Sequence, residues 1–156
     1  MTFPTANEAE IHAIIAAHLA LEGPLLPILH ALQEAFDHVP ETAVPLLAEA
    51  LNITRAEVHG VISFYHNFRR EPAGRHVLKI CRAEACQAVG ANALSEATLR
   101  KLGLDWGGTT ADGALTVEAV YCLGLCACGP AAMIDGRVVG RVDAARIDTL
   151  LAEVRV

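Results

Sequence analysis

Residues 76–86 read His76-Val77-Leu78-Lys79-Ile80-Cys81-Arg82-Ala83-Glu84-Ala85-Cys86, and this stretch decides the fold of the second half of the chain. His76 to Ile80 is rich in Val, Leu and Ile and predicts a strand, after which an Ala-rich stretch from about Ala85 to Leu102 predicts a helix. Upstream, Glu71-Pro72-Ala73-Gly74 marks a turn where the pattern changes. Downstream, a Gly-rich loop runs through Gly113. Leu115, Val117, Ala119 and Tyr121 then alternate with Thr116 and Glu118, as in a half-buried strand. Met133-Ile134 and Val138-Val139 flank an Asp135-Gly136 hairpin turn, and Ile147, Leu150, Leu151 and Val154 mark a last helix. The predicted order is β-α-β-β-β-α. A β-α-β unit closes by a right-handed crossover with parallel strands, so both strand exits fall on one edge of the sheet.

Residues 1–70 contain no cysteine and read as helices. Ile11, Ile14, Ile15 and Leu19 form one stripe, broken by Gly23-Pro24, and Leu25, Ile28, Leu29, Leu32 and Phe36 form a second. Val44, Leu47, Ala50 and Leu51 predict a third, short helix. Thr54 and Glu57 have the spacing of a capping box opening a fourth, which carries Val58, Val61, Ile62 and Tyr65. The expected class is α+β: an N-terminal four-helix bundle over residues 1–70, then an α/β domain over 71–156.

Five cysteines lie between Cys81 and Cys128. The formal charge of −6, with no basic run longer than Arg69-Arg70, argues against a nucleic-acid face or binding to an anionic membrane, so proteins are the expected partners. Glu8 and Glu10 stand where a signal peptide would be basic and then apolar, and no apolar run approaches the roughly 18 residues of a membrane span, so a cytoplasmic location without membrane insertion is expected. An odd thiol count in a reducing compartment argues for metal or redox chemistry over a disulfide framework. The apolar content of 53% against 19% charged residues suggests surface covered by other subunits.

Cys81 and Cys86 follow the first strand, and Cys122 and Cys126 follow the second, so the topology brings four thiols together. The exit after Cys81 leads into a helix N-terminus, which favours thiolates, and Arg82 is expected to add to that. Gly124 and Gly129 let the backbone wrap closely around the sulfurs. Structural zinc sites usually present Cys-x2-Cys knuckles, whereas these pairs are more widely spaced, which favours an iron–sulfur core without settling it. A zinc-stabilised adaptor and a thiol oxidoreductase using Cys126 and Cys128 remain as competitors.

Several motifs together carry a resemblance: Leu26 to Phe36 with Gln33; Val58-His59-Gly60-Val61-Ile62-Ser63-Phe64-Tyr65 followed by Phe68; Cys81 with Cys86; Asp112-Gly113; and Cys122-Leu123-Gly124 leading to Cys126 and Pro130. The chain resembles the thioredoxin-like [2Fe-2S] ferredoxin subunits of complex I, NAD-dependent formate dehydrogenases and hydrogenases. Cys81-Arg82-Ala83-Glu84-Ala85-Cys86-Gln87 and Cys126-Ala127-Cys128-Gly129-Pro130 are most similar to the gamma subunit of molybdenum-dependent, NAD-reducing formate dehydrogenase. The resemblance implies a helical bundle with a thioredoxin-like domain and a [2Fe-2S] cluster on Cys81, Cys86, Cys122 and Cys126. It implies an electron relay that is not catalytic alone, beside a flavin and NAD-binding iron–sulfur subunit and a molybdenum-containing catalytic subunit. FMN, NAD and the molybdenum cofactor then belong to those partners. The alternative is the equivalent subunit of complex I NADH:quinone oxidoreductase or of an NAD-reducing hydrogenase. Cys128 stays outside the implied ligand set.

The remaining features have plainer readings. His59 and His66 share a helical face without a third ligand, and packing or surface placement is the default. Phe64, Tyr65 and Phe68 beside Val61 and Ile62 are expected in the core. Gly107-Gly108 lacks the Lys-Ser/Thr of a phosphate loop.

Overall fold

The computed structural model describes residues 7–154. The chain divides into two compact units, Met1–Pro72 and Ala73–Val156.

The first unit holds helices α1 (Glu8–His18), α2 (Leu25–Phe36), α3 (Ala43–Leu51) and α4 (Arg55–Phe64). Local chemistry sets their ends. Asn7 caps α1 by accepting from the Ala9 N–H, and Asp37 and Asn52 adopt left-handed backbone where α2 and α3 stop. The capping box is present: Glu57 Oε2 accepts from the Thr54 N–H at 2.7 Å, and Thr54 Oγ1 accepts from the Glu57 N–H at 3.2 Å. That Thr54 N–H bond holds the Glu57 carboxyl below the usual carboxylate range. Thr54→Ala is expected to lower the thermal midpoint by about 2–4 °C, the shift that a lost N-cap of about 1 kcal/mol gives a chain of this size; an unchanged melting curve would refute that role.

The four helices bury one shared core, with Ile11, Ile28, Leu29, Leu32, Leu47 and Val58 wholly inaccessible. Gln33 ties α2 to the segment after α4, its Nε2 donating to the Asn67 carbonyl and its Oε1 accepting from the Arg69 N–H, both at 2.7 Å.

Three apolar residues expected in buried positions are instead exposed. Leu19 lies beyond the last residue of α1 and is 44% exposed. Tyr65 would continue the Val58 and Ile62 stripe, but the chain leaves the helix there (φ −89°, ψ 98°) and the ring is 43% exposed. Phe64 is 73% exposed, and only Phe68 of the aromatic run enters the core, its ring 5.0 Å from His30.

The second unit contains β1 (His76–Cys81), α5 (Glu84–Ala88), α6 (Ala91–Leu102), β2 (Leu115–Val120), a 3-10 turn (Cys126–Cys128), β3 (Ala132–Ile134), β4 (Arg137–Val139) and α7 (Ala144–Val154). The sheet order is β2-β1-β3-β4, with β1 and β2 parallel and the other pairs antiparallel. Leu78 stands opposite Val117 on one side and Ile134 on the other. Period-2 alternation puts Leu78, Ile80, Val117 and Ile134 on one face, where they share a core with Leu99 of α6 and with Ile147, Leu150 and Leu151 of α7. Asp135 (φ 47°) and Gly136 (φ 83°) make the tight turn between β3 and β4. Asp135 also holds the end of β1, its Oδ1 accepting from the Val77 N–H at 2.9 Å.

The helix expected over residues 85–102 is two helices, because Gly90 takes φ 97° and restarts the chain in α6. Tyr121, expected on the strand, lies just past its end and is 65% exposed. Among the described residues no helix is long and apolar enough to cross a membrane.

Candidate cluster-binding site

The parallel ladder builds the site. β1 ends on Cys81, which pairs in register with Val120, the last residue of β2, and the Arg82 N–H donates to the Val120 carbonyl at 2.8 Å. Both strands therefore release their chains side by side. One release leads through Ala83 into α5, which carries Cys86; the other leads through Tyr121 into the loop of Cys122 to Pro130. The loop is fixed from behind, where Cys81 donates its N–H to the Ala131 carbonyl at 2.9 Å, Arg141 donates to Cys128 and Val142 to Pro130.

Cys81 and Cys86 are each 2% exposed, whereas Cys122 and Cys126 face the surface. Cys122 Sγ lies 3.7 Å from Cys126 Sγ and accepts from the Gly124 N–H at 3.4 Å. To take this position Cys122 adopts φ 95°, in the left-handed region where a side chain other than glycine is strained. A Cβ on Gly129 would stand 3.0 Å from Val89 Cγ2 and 3.4 Å from Cys86 Sγ, so a larger residue there would require the Val89 side chain to give way where the loop approaches α5.

The electrostatics join the four thiols into one group. Burial pushes the Cys81 thiol up, but hydrogen bonds to its sulfur from the Ala83 N–H, from Cys86 and from the Cys122 and Leu123 N–H groups outweigh it and hold the thiol below its ordinary value. Cys86 is pushed up by burial and by its bond to Cys81, with the charges of Cys81 and Cys126 adding, against a bond from Ala131. Cys126 is raised by its hydrogen bond with Cys122 and by the charge there, with burial and Cys81 adding. Thiolates crowded in this way resist ionising together unless cations neutralise them, which is the chemistry of a metal-binding cage.

Among the described residues no three His, Cys, Asp or Glu side chains close around a position for one ion. The thiols meet as two pairs, Cys81 with Cys86 and Cys122 with Cys126, a donor set that fits an iron–sulfur core. Cys128 is half-buried, and the groups that shift the other thiols do not include it. The sulfur facing Cys126 is that of Cys122, 3.7 Å away, and not that of Cys128.

Arg82 departs from expectation. Its guanidinium sits 5.2 Å from the centre of the Trp106 ring, and it is not among the causes of the Cys81 shift. The sulfur-facing donors at Cys81 are backbone N–H groups of Ala83, Cys122 and Leu123, whose role no side-chain identity announces. His59, weighed as a metal ligand, has its Nε2 3.2 Å from Glu41 Oε1.

A sequence model of thioredoxin-like [2Fe-2S] ferredoxins matches residues 11–155. The chain belongs to the thioredoxin-like [2Fe-2S] ferredoxin family, its fold is α+β with a mixed sheet, and the cofactor of the family is a [2Fe-2S] cluster, an electron carrier. Among curated relatives it is 33% identical to the NADP-reducing hydrogenase subunit HndA of Solidesulfovibrio fructosivorans over 85% of this chain and 77% of that one. It is 37% identical to an NADH-quinone oxidoreductase subunit of Escherichia coli, covering 83% of this chain and 80% of that one. Among solved structures, an NAD+-reducing [NiFe]-hydrogenase in the air-oxidized state aligns over 81% of this chain with a TM-score of 0.64 and 32% identity. The chain spans 22% of that hydrogenase polypeptide.

Proposed function

We propose that Cys81, Cys86, Cys122 and Cys126 are the four ligands of the [2Fe-2S] cluster, two for each iron, and that the chain relays electrons as a non-catalytic subunit beside a flavin and NAD-binding subunit. The assembly is of the NADH-quinone oxidoreductase or NAD(P)-reducing hydrogenase type, working in the cytoplasm. The observation that carries this reading is the convergence of two cysteine pairs at one edge of a parallel strand pair, with backbone N–H groups aimed at Cys81 and Cys122. The relatives named above support this assembly, and the formate dehydrogenase complex expected from residues 81–87 and 126–130, with its molybdenum subunit, finds no support among them.

When bound, the cluster supplies one-electron exchange. The chain's own residues do the rest. The N–H groups of Ala83, Cys122, Leu123 and Gly124 stabilise negative charge on sulfur, which sets the reduction potential. Ala91, Ala131 and the partly buried Leu123 and Leu125 pack around Cys81 and Cys86 and keep water from that side. In this reading residues 1–70 form a helical bundle and residues 71–156 the thioredoxin-like ferredoxin domain.

Anaerobically purified protein is expected to be red-brown, to hold about two irons and two sulfides, and to give an EPR signal after reduction by dithionite. A colourless chain holding one zinc would sink the reading in favour of a zinc-stabilised adaptor.

A further inference from the structure

One side chain ties the loop from Cys81 to Cys86 back on itself. Gln87 follows Cys86 on α5, and its Nε2 donates to the Arg82 carbonyl at 2.7 Å. That carbonyl belongs to the same peptide unit as the Ala83 N–H, which donates to the Cys81 sulfur. A trans peptide is planar, with its C=O and N–H pointing in opposite directions, so whatever fixes the oxygen aims the hydrogen. A bond accepted at the C=O also polarises the unit and strengthens its N–H as a donor.

Gln87 is held in turn. Asn92 Nδ2 donates to Gln87 Oε1 at 3.1 Å, which leaves Nε2 as the end of the Gln87 amide that faces Arg82. Turning the Asn92 amide over would set its Oδ1 against Gln87 Oε1, two acceptors in contact. Asn92 Oδ1 is instead buried without a hydrogen-bond partner, and so is Arg82 Nε, whose guanidinium sits 5.2 Å from the centre of the Trp106 ring. Unpaired buried polar atoms are destabilising, and each one calls for a reason. Both of these belong to residues that bond to Gln87, Arg82 through its carbonyl and Asn92 through its amide. The Arg82 N–H is fixed as well, donating to the Val120 carbonyl at 2.8 Å.

We infer that Gln87, held by Asn92, is a positioning residue for the cluster: it fixes the Arg82–Ala83 peptide unit so that the Ala83 N–H stays aimed at the Cys81 sulfur, and it thereby raises the reduction potential. This inference rests on the relay reading above. It adds the side chain that controls one of the backbone donors. Reduction adds negative charge to the centre, so a donor held against a ligand sulfur favours the reduced form.

The test is a redox titration, followed by EPR, of the full-length chain loaded with iron and sulfide. Gln87→Met keeps the length of the side chain and lacks the donor. It is expected to change the ratio of reduced to oxidised protein at a given potential by about threefold to tenfold, which lowers the midpoint by about 30–60 mV at about 59 mV per tenfold for one electron. Asn92→Ala frees the Gln87 amide and should lower the midpoint by a smaller amount. Iron and sulfide content should match the wild type in both variants. Hydrogen exchange read by mass spectrometry supplies a second measurement, in which the segment containing the Ala83 amide should exchange about threefold to tenfold faster in Gln87→Met.

A role confined to stability would lower the thermal midpoint or cluster retention and leave the potential alone. A Gln87→Met chain that keeps its cluster and titrates at the wild-type midpoint would therefore overturn the inference and leave the relay standing. A lower midpoint with unchanged exchange around Ala83 would overturn it too, because the shift would not have come through that peptide. If Gln87→Met holds too little cluster to titrate, Asn92→Ala decides: a lowered midpoint upholds the inference, and the wild-type value overturns it. A colourless wild-type chain holding zinc would overturn the relay reading, while exchange around Ala83 in Gln87→Met would still decide whether Gln87 holds the peptide, faster exchange upholding that role and equal exchange overturning it.

Discussion

Cys122→Ser is expected to abolish the visible absorption and reduced-state EPR signal of the purified chain, while Cys128→Ser leaves both largely intact. Cys122 is the residue the backbone distorts to place: its φ of 95° and the Gly124 N–H on its sulfur bring Sγ to 3.7 Å from Cys126. Serine would put a harder, shorter and less readily ionised donor at the same point, a poor match for an iron–sulfur core that selects soft thiolates. Loss of one of the four proposed ligands should therefore exceed the about 10- to 100-fold cost of disturbing an outer-shell partner. Cys128 faces a different constraint, its Cβ lying 3.0 Å from where a Cβ on Gly140 would stand, and its sulfur has no place in the paired arrangement. Iron and sulfide analysis of both variants decides the matter. Equal loss in the two would show the ligand set to be wrong.

Leu78→Ala should carry the largest stability cost, about 2–5 kcal/mol by urea denaturation. Leu78 is wholly inaccessible and lies on the central strand, flanked in register by Val117 and Ile134 and covered by the core that α6 and α7 complete. Truncation loses the transfer energy of the missing atoms and leaves a cavity that three hydrogen-bonded strands cannot easily collapse. Against the roughly 5–15 kcal/mol typical of natural domains this is a large fraction, so the unfolding midpoint should fall visibly while the slope stays unchanged. A loss below about 1 kcal/mol would mean that the packing around β1 is looser than its burial implies.

The fold was largely legible because its decisive signals are local. Alternation over residues 76–80 and 115–119, the Asp135-Gly136 turn and the Thr54 to Glu57 capping box each specify backbone geometry within a few residues. The parallel crossover then follows from chirality. What failed was the placing of ends. Apolar spacing continues through Tyr65 and Tyr121, but the helix and strand stop one residue earlier, and periodicity cannot report a stop that tertiary packing imposes. Gly90 was readable as a break only in hindsight of its φ of 97°, since an isolated glycine in a helical pattern is often tolerated. At the site, spacing identified the four thiols but not the donors that tune them, because any residue can present a backbone N–H. Arg82 misled in the opposite way. Its charge beside Cys81 in sequence is spent on Trp106 in space.

The pairing of Cys81 with Val120 has a consequence for how such a chain can change over time. The separation of the two cysteine pairs is set by a row of backbone bonds running from His76 and Leu115 to the strand ends, and not by the segment that connects them. That segment could gain or lose residues around Gly103 to Asp105 without moving a sulfur, whereas one residue inserted within either strand would slip the ladder and turn a thiol to the opposite face. Length variation should therefore be tolerated in the crossover and forbidden in the strands, which lets the periphery drift while the redox centre keeps its gauge.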